Sequence, residues 1–200
     1  MLKRSWLLCG LVLLVISASS CIFDPKEENK PIDPPQPAVK LEDQSQKWHV
    51  LNNIEYAYAN RNSGSDVYNG LIDENFTFFF SPGDIGSGLP EQWGRQDEVD
   101  TTTGLFESNS GTSSGPECRS MRLDLQYNPE TMTWGEVIPE GFPDEVWYQA
   151  NIFYTFTFEM VPDQTLIAVP GAKAQFTVRD VDPTEGEHWM LVEFRDLGGN

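Results

Sequence analysis

The sequence predicts an α+β domain in which N-terminal helices pack on one side of a strongly curved antiparallel β-sheet. Three observations predict it. Apolar residues recur at three-and-four spacing early in the domain, then alternate strictly beyond the Gly/Ser-rich stretch at 107–116. The alternating stretches are long and carry apolar residues on one face only, as half-covered antiparallel strands do. The helical stretches come first and the strands follow as a block, which favours helices segregated to one side of a sheet over an interleaved parallel fold.

Taken in order, Gln44 to Arg61 forms the first helix, with Val50, Ile54, Ala57, Tyr58 and Arg61 on one stripe that Trp48 and Leu51 widen. Asn62-Ser63-Gly64-Ser65 reads as its break, and Asp66 as the cap of a second short helix bearing Val67, Tyr68, Leu71 and Ile72. Phe76–Phe80 is an aromatic strand ended by the turn-forming Ser81-Pro82-Gly83-Asp84. A third helix is expected after Trp93-Gly94-Arg95, running to Phe106 with Val99, Thr103 and Phe106 inward; Gly94 would cap it, and Asp97 and Glu98 suit its first turn. Beyond the loop, Met121, Leu123, Leu125 and Tyr127 alternate with Arg122, Asp124 and Gln126. Trp147 to Met160 places Tyr148, Ala150, Ile152, Tyr154, Phe156, Phe158 and Met160 on one face. Thr165–Val169 and Ala172–Asp180 form one strand bent at Pro170-Gly171, and Trp189–Asp196 is the last.

The beginning of the chain has a different character. Lys3 and Arg4 precede the apolar run Leu7–Ile16 and the small residues Ser17-Ala18-Ser19-Ser20, the three parts of an export signal. That run is about ten residues, against the roughly 20 a membrane-spanning helix needs. Ala18-Ser19-Ser20-Cys21 resembles a bacterial lipobox, with Ala18 where a branched residue is usual. The resemblance implies cleavage between Ser20 and Cys21 and a diacylglyceryl lipid on Cys21, making membrane lipid a partner. The alternative is a secretory signal cut after Ser20 that leaves Cys21 a free thiol. Pro25, Pro31, Pro34, Pro35 and Pro37 among charged residues make 21–41 a tether rather than a packed segment. At about 3.1 Å per residue it reaches on the order of 60 Å. The expected organisation is therefore a signal peptide at 1–20, a lipidated cysteine and tether at 21–41, and a domain at 42–200. Localisation at a bacterial cell envelope follows. Ile22 after the cysteine favours the outer membrane where the host has one.

Charge excludes a function class. Loss of Lys3 and Arg4 leaves 31 acidic residues against 11 basic ones, a field that repels nucleic acid and offers no phosphate-neutralising patch.

Three stretches carry a family resemblance: Leu51–Tyr58, Leu71–Phe78, and Trp93-Gly94-Arg95 before Glu98. With the element order, they resemble the cone-shaped nuclear-transport-factor-2-like superfamily, in particular uncharacterised bacterial lipoproteins of that type. The resemblance implies a cavity between helices and sheet that takes a small apolar ligand, and homodimers formed through the sheet. It also implies two possible modes of action. One is noncatalytic binding or scaffolding, the favoured reading. The other is an isomerase- or hydratase-like activity on a small hydrophobic substrate, with an inward acid as base.

Chemical motifs are sparse. Gly111-Thr112-Ser113-Ser114-Gly115 matches a nucleophile-elbow pattern, but no strand leads into it. His49 and His188 are the only histidines, so no metal site is expected, and no cofactor either. Asp180-Val181-Asp182 opens like a calcium loop, yet Glu185 stands where glycine is needed. Glu193 is the candidate catalytic acid, since it shares a strand face with Trp189 and Leu191; pairing with Arg195 is its structural alternative. Asp73 and Asp124 are weaker acids of the same kind. Tyr56, Trp93, Arg95 and Tyr154 are the candidate pocket residues, with His49, Asn53 and Asn60 on the same helix stripe as Tyr56.

Overall fold

Helix α1 spans Lys47–Ala59 and buries Val50, Leu51, Ile54, Ala57 and Tyr58 along the expected stripe. The computed structural model to which it belongs describes residues 39–107, 117–161, 166–184 and 186–199. The signal segment, Ser20, Cys21, most of the tether, Gly111–Gly115 and Glu185 lie outside the described residues.

α1 stops earlier than the spacing suggests. Asn60 leaves the helix, and its side-chain amide donates to the Tyr56 carbonyl at 2.9 Å, a local alternative to continued helix. α2 then runs Arg61–Leu71, so Asn62-Ser63-Gly64-Ser65 lies within a helix and does not break one. Packing explains the glycine. A Cβ at Gly64 would lie 2.2 Å from the Ala57 carbonyl oxygen, so only glycine admits this approach between α1 and α2. Arg61 is not on the apolar stripe; its guanidinium donates to the Phe106 carbonyl at 3.0 Å.

Strand β1, Ile72–Phe79, follows α2 directly and starts four residues before the expected Phe76. Ser81 caps the single-turn α3 at Pro82–Gly86, where a turn is expected. β2, Gln92–Gly94, leads into α4, Arg95–Glu107. The buried line of α4 is Glu98, Thr102 and Phe106, not Val99, Thr103 and Phe106. The helix is rotated by one residue because two of those polar side chains are satisfied internally, as described below. Apolar spacing alone does not reveal this.

The remaining strands are β3 (Glu117–Gln126), β4 (Gly135–Val137), β5 (Trp147–Val161), β6 (Leu166–Asp180) and β7 (Trp189–Asp196). Their order is β2-β1-β7-β6-β5-β3, with β4 also on β5. All pairs are antiparallel except β1 with β7, which departs from the all-antiparallel expectation. β6 is one strand that bends where Gly171 adopts φ +65°, opposite a register shift between Tyr154 and Phe156.

A bulge resets β7. Thr177 pairs with Glu193 but Val178 pairs with Leu191, so Val192 is the extra residue. Trp189 and Leu191 belong to the core; beyond the bulge it is Phe194 that faces it, stacked on Phe176 at 4.6 Å. Glu193 thereby turns away with Thr177. The helices cover the core face, where Val50, Leu51, Ile54, Tyr68, Leu71, Phe176 and Leu191 are essentially inaccessible.

Candidate functional site

The most unusual group in the interior is Glu98. It sits in the first turn of α4 and is 4% exposed. Tyr68 Oη donates to its Oε1 at 2.7 Å and Trp93 Nε1 to its Oε2 at 2.8 Å. Thr102 Oγ1 returns to its backbone carbonyl at 2.7 Å. Burial pushes the Glu98 carboxyl up, and the two donors offset part of that rise. Tyr68 is pushed well above its ordinary value by burial and by the neighbouring carboxylate. Around them Tyr58, Tyr68 and Phe106 meet edge-on or tilted, with centroids 5.1–6.3 Å apart. Chemically this is an acid with both oxygens already engaged.

Sequence reasoning places Glu98 only as a favourable first-turn charge. The signal that could have found it is Tyr68 and Trp93, two aromatic donors that need a buried acceptor.

The four expected pocket residues sit in different surroundings. Trp93 is on β2, packed against Phe78 and Phe80 and bonded to Glu98. Arg95 joins α2 to β1, donating to the carbonyls of Asn69 at 3.1 Å and Ile72 at 3.4 Å. Tyr56 is half-buried on α1. Tyr154 is buried on β5, its hydroxyl held above the usual range by desolvation and by Asp196. Of the stripe beside Tyr56, Asn53 is buried and structural: it accepts from Glu42 N at 2.8 Å and donates to Glu42 O at 2.9 Å, pinning the segment before α1.

The other acids have partners of their own. Asp73 is buried and holds Arg179 through two contacts, at 2.9 and 3.2 Å, while Arg179 also reaches Glu145 at 3.1 Å. This fork ties β1 to β6 across β7. Asp124 pairs with Arg122 on the surface. Glu55 of α1 accepts the Leu125 N–H of edge strand β3 at 2.6 Å, and desolvation raises its carboxyl to about 7.

Glu193 lies on the sheet face opposite Glu98, in a cleft of about 420 Å³ whose floor includes Thr77, Thr177 and Gln149. The segment from Val137 to Phe142 forms its wall. Arg195 does not pair with Glu193; its guanidinium stacks over Phe79 at 3.7 Å. The bulge at Val192 is why the phase inferred from Trp189 and Leu191 does not carry through to Glu193. No group of three or more His, Cys, Asp or Glu side chains is arranged for a metal among the described residues.

No family model and no curated protein matches the sequence. Solved structures do. A scytalone-dehydratase-type protein from Novosphingobium aromaticivorans superposes with a TM-score of 0.50 at 10% identity, over 73% of this chain and 76% of that one. A nuclear transport factor 2-like superfamily protein from Salmonella enterica gives 0.47 at 11% identity, over 76% and 87%. The chain has the nuclear-transport-factor-2-like fold. At such identities the likeness extends to the cone and not to a reaction. Within that fold, Glu98, Tyr68 and Trp93 stand between the helices and β2, and Glu193 on the reverse face of the sheet.

Proposed function

We propose that this protein is a lipid-anchored envelope protein whose cone domain binds or scaffolds at its surface without catalysing a reaction. The observation that supports it is the commitment of both oxygens of the buried Glu98 to Tyr68 and Trp93. A general base must reach a substrate proton, directly or through one water. Both Glu98 oxygens are instead taken up by the Tyr68 hydroxyl and the Trp93 indole N–H. The isomerase- or hydratase-like alternative requires that core to open. Titration of the ¹⁵N-labelled protein with 2-cyclohexenone and 2-naphthol tests this: the Trp93 indole N–H is expected to stay unshifted, and a saturable shift would favour the alternative.

The anchor is proposed from Lys3, Arg4, Leu7–Ile16 and Ala18-Ser19-Ser20-Cys21. Intact mass spectrometry of the membrane fraction is expected to find diacylglycerol on Cys21, and Cys21→Ala to accumulate unprocessed. An unmodified chain beginning at Cys21 would sink the anchor and leave a secreted domain.

A further inference from the structure

A cleft lies beneath the Val137–Phe142 segment, with a lining that is acidic, polar and aromatic. Its volume, about 420 Å³, lies in the range of small-molecule sites. The wall is fixed at both ends. β4 pairs with β5 through Val137 and Trp147, and Phe142 packs on Trp147 with centroids 5.5 Å apart. Farther along, Glu145 is held by Arg179 and by Trp147 Nε1 at 2.8 Å. The cleft is therefore preformed.

Its polar content is one-sided. Glu193 is half-buried on the floor, and its described partner is the Thr177 hydroxyl at 3.4 Å. Glu140 adds a second carboxylate at the rim. The nearest guanidinium on the same strand, Arg195, is occupied by the Phe79 ring. Thr77, Thr177 and Gln149 supply further oxygen acceptors, while Ile138 and Val192 are apolar. Ile138 is 70% exposed, which leaves apolar surface for an occupant to cover. The domain carries a large net negative charge, which concentrates cations at such a cleft.

We propose that this cleft binds a primary organic amine with a small apolar or aromatic body. The ammonium would sit at Glu193, donating to it and to the threonine hydroxyls, with the body against Phe142 and Trp147. A bare metal ion fits less well, because two carboxylates and an aromatic wall are a poor cage for a hard cation. The site lies on the sheet face opposite Glu98 and deepens the surface-binding reading above; its failure would be read at Trp147, and the failure of the noncatalytic reading at the Trp93 indole.

The test uses the full chain, purified from membranes, with 2-phenylethylammonium as probe. Its uncharged and anionic counterparts are 2-phenylethanol and 3-phenylpropanoate. Chemical shifts of the Trp147 indole are expected to saturate with the amine, with a Kd on the order of 1 mM or tighter. Glu193→Gln is expected to weaken the amine at least tenfold, roughly the loss of one charge-assisted bond, with the melting temperature unchanged. Phe142→Ala should weaken the amine and the alcohol alike. Equal binding of the anion, an unaltered affinity in Glu193→Gln, or no saturation by the amine would each overturn the proposal.

Discussion

Gly64→Ala is expected to destabilise the domain by about 2 kcal/mol or more, although alanine is the better helix former by about 1 kcal/mol. The sign is decided by what the new methyl group would meet. At Gly64 it would meet the Ala57 carbonyl oxygen at 2.2 Å, a backbone atom that cannot swing aside, so α1 and α2 must separate. That separation reaches the most buried part of the core, since Ile54, Ala57 and Tyr58 of α1 lie on this side. Gly104→Ala in α4 is the control. It is exposed with nothing within 4 Å of the added atom, so the same change is expected to stabilise by about 0.5–1 kcal/mol. Thermal unfolding of the two variants should thus shift in opposite directions, Gly64→Ala downward by roughly 4–8 °C. A Gly64→Ala protein as stable as wild type would mean that the helices do not approach as described.

The second large effect is on pH. In the folded protein Glu55 titrates at about 7, against 4.5 in an ordinary environment, and desolvation raises Glu98 in the same direction. Between those limits the native state holds protons that the unfolded chain has already lost. Stability is then fully present below about pH 4.5 and falls as pH rises through 7, the reverse of the usual behaviour of salt-bridged acids. For Glu55, which is only partly buried, a solvent-discounted loss of roughly 2 kcal/mol is expected across that window. Glu55→Gln keeps an oxygen for the Leu125 N–H but cannot ionise. Its stability should match wild type near pH 5 and exceed it near pH 7.5 in chemical unfolding. Parallel wild-type and variant curves would refute the assignment to Glu55. The dense surface charge adds a slope of its own, which the variant leaves in place.

The fold was largely legible in the sequence because the long strands declare themselves. In β3, β5 and β6 the helices cover one face and most of the other is less buried, so alternation largely follows burial. The helices were less legible, for separate reasons at separate residues. Gly64 reads as a breaker in isolation, and only its neighbour Ala57 makes it a contact. α4 contains few apolar residues, so its rotation is set by the hydrogen bonds of Glu98 and Thr102, which spacing does not encode. The single extra residue at Val192 reverses the face of everything after it in β7. For that reason alternation alone puts Glu193 on the face of Trp189 and Leu191, whereas the bulge turns it to the opposite face with Thr177. β4 is three residues long and leaves no periodic trace, so the cleft beneath the segment that follows it was not foreseeable.

Glu98 is buried, with one oxygen held by Tyr68 and the other by Trp93. The Trp93 indole N–H is the most direct reporter, because it donates to Glu98 at 2.8 Å and belongs to the residue nearest the surface of that cluster. The resonance is expected to exchange slowly with solvent and to remain unshifted through titration with 2-cyclohexenone and 2-naphthol. A saturable shift that disappears in Glu98→Gln would contradict the account, since it would mean that small apolar molecules reach the acid.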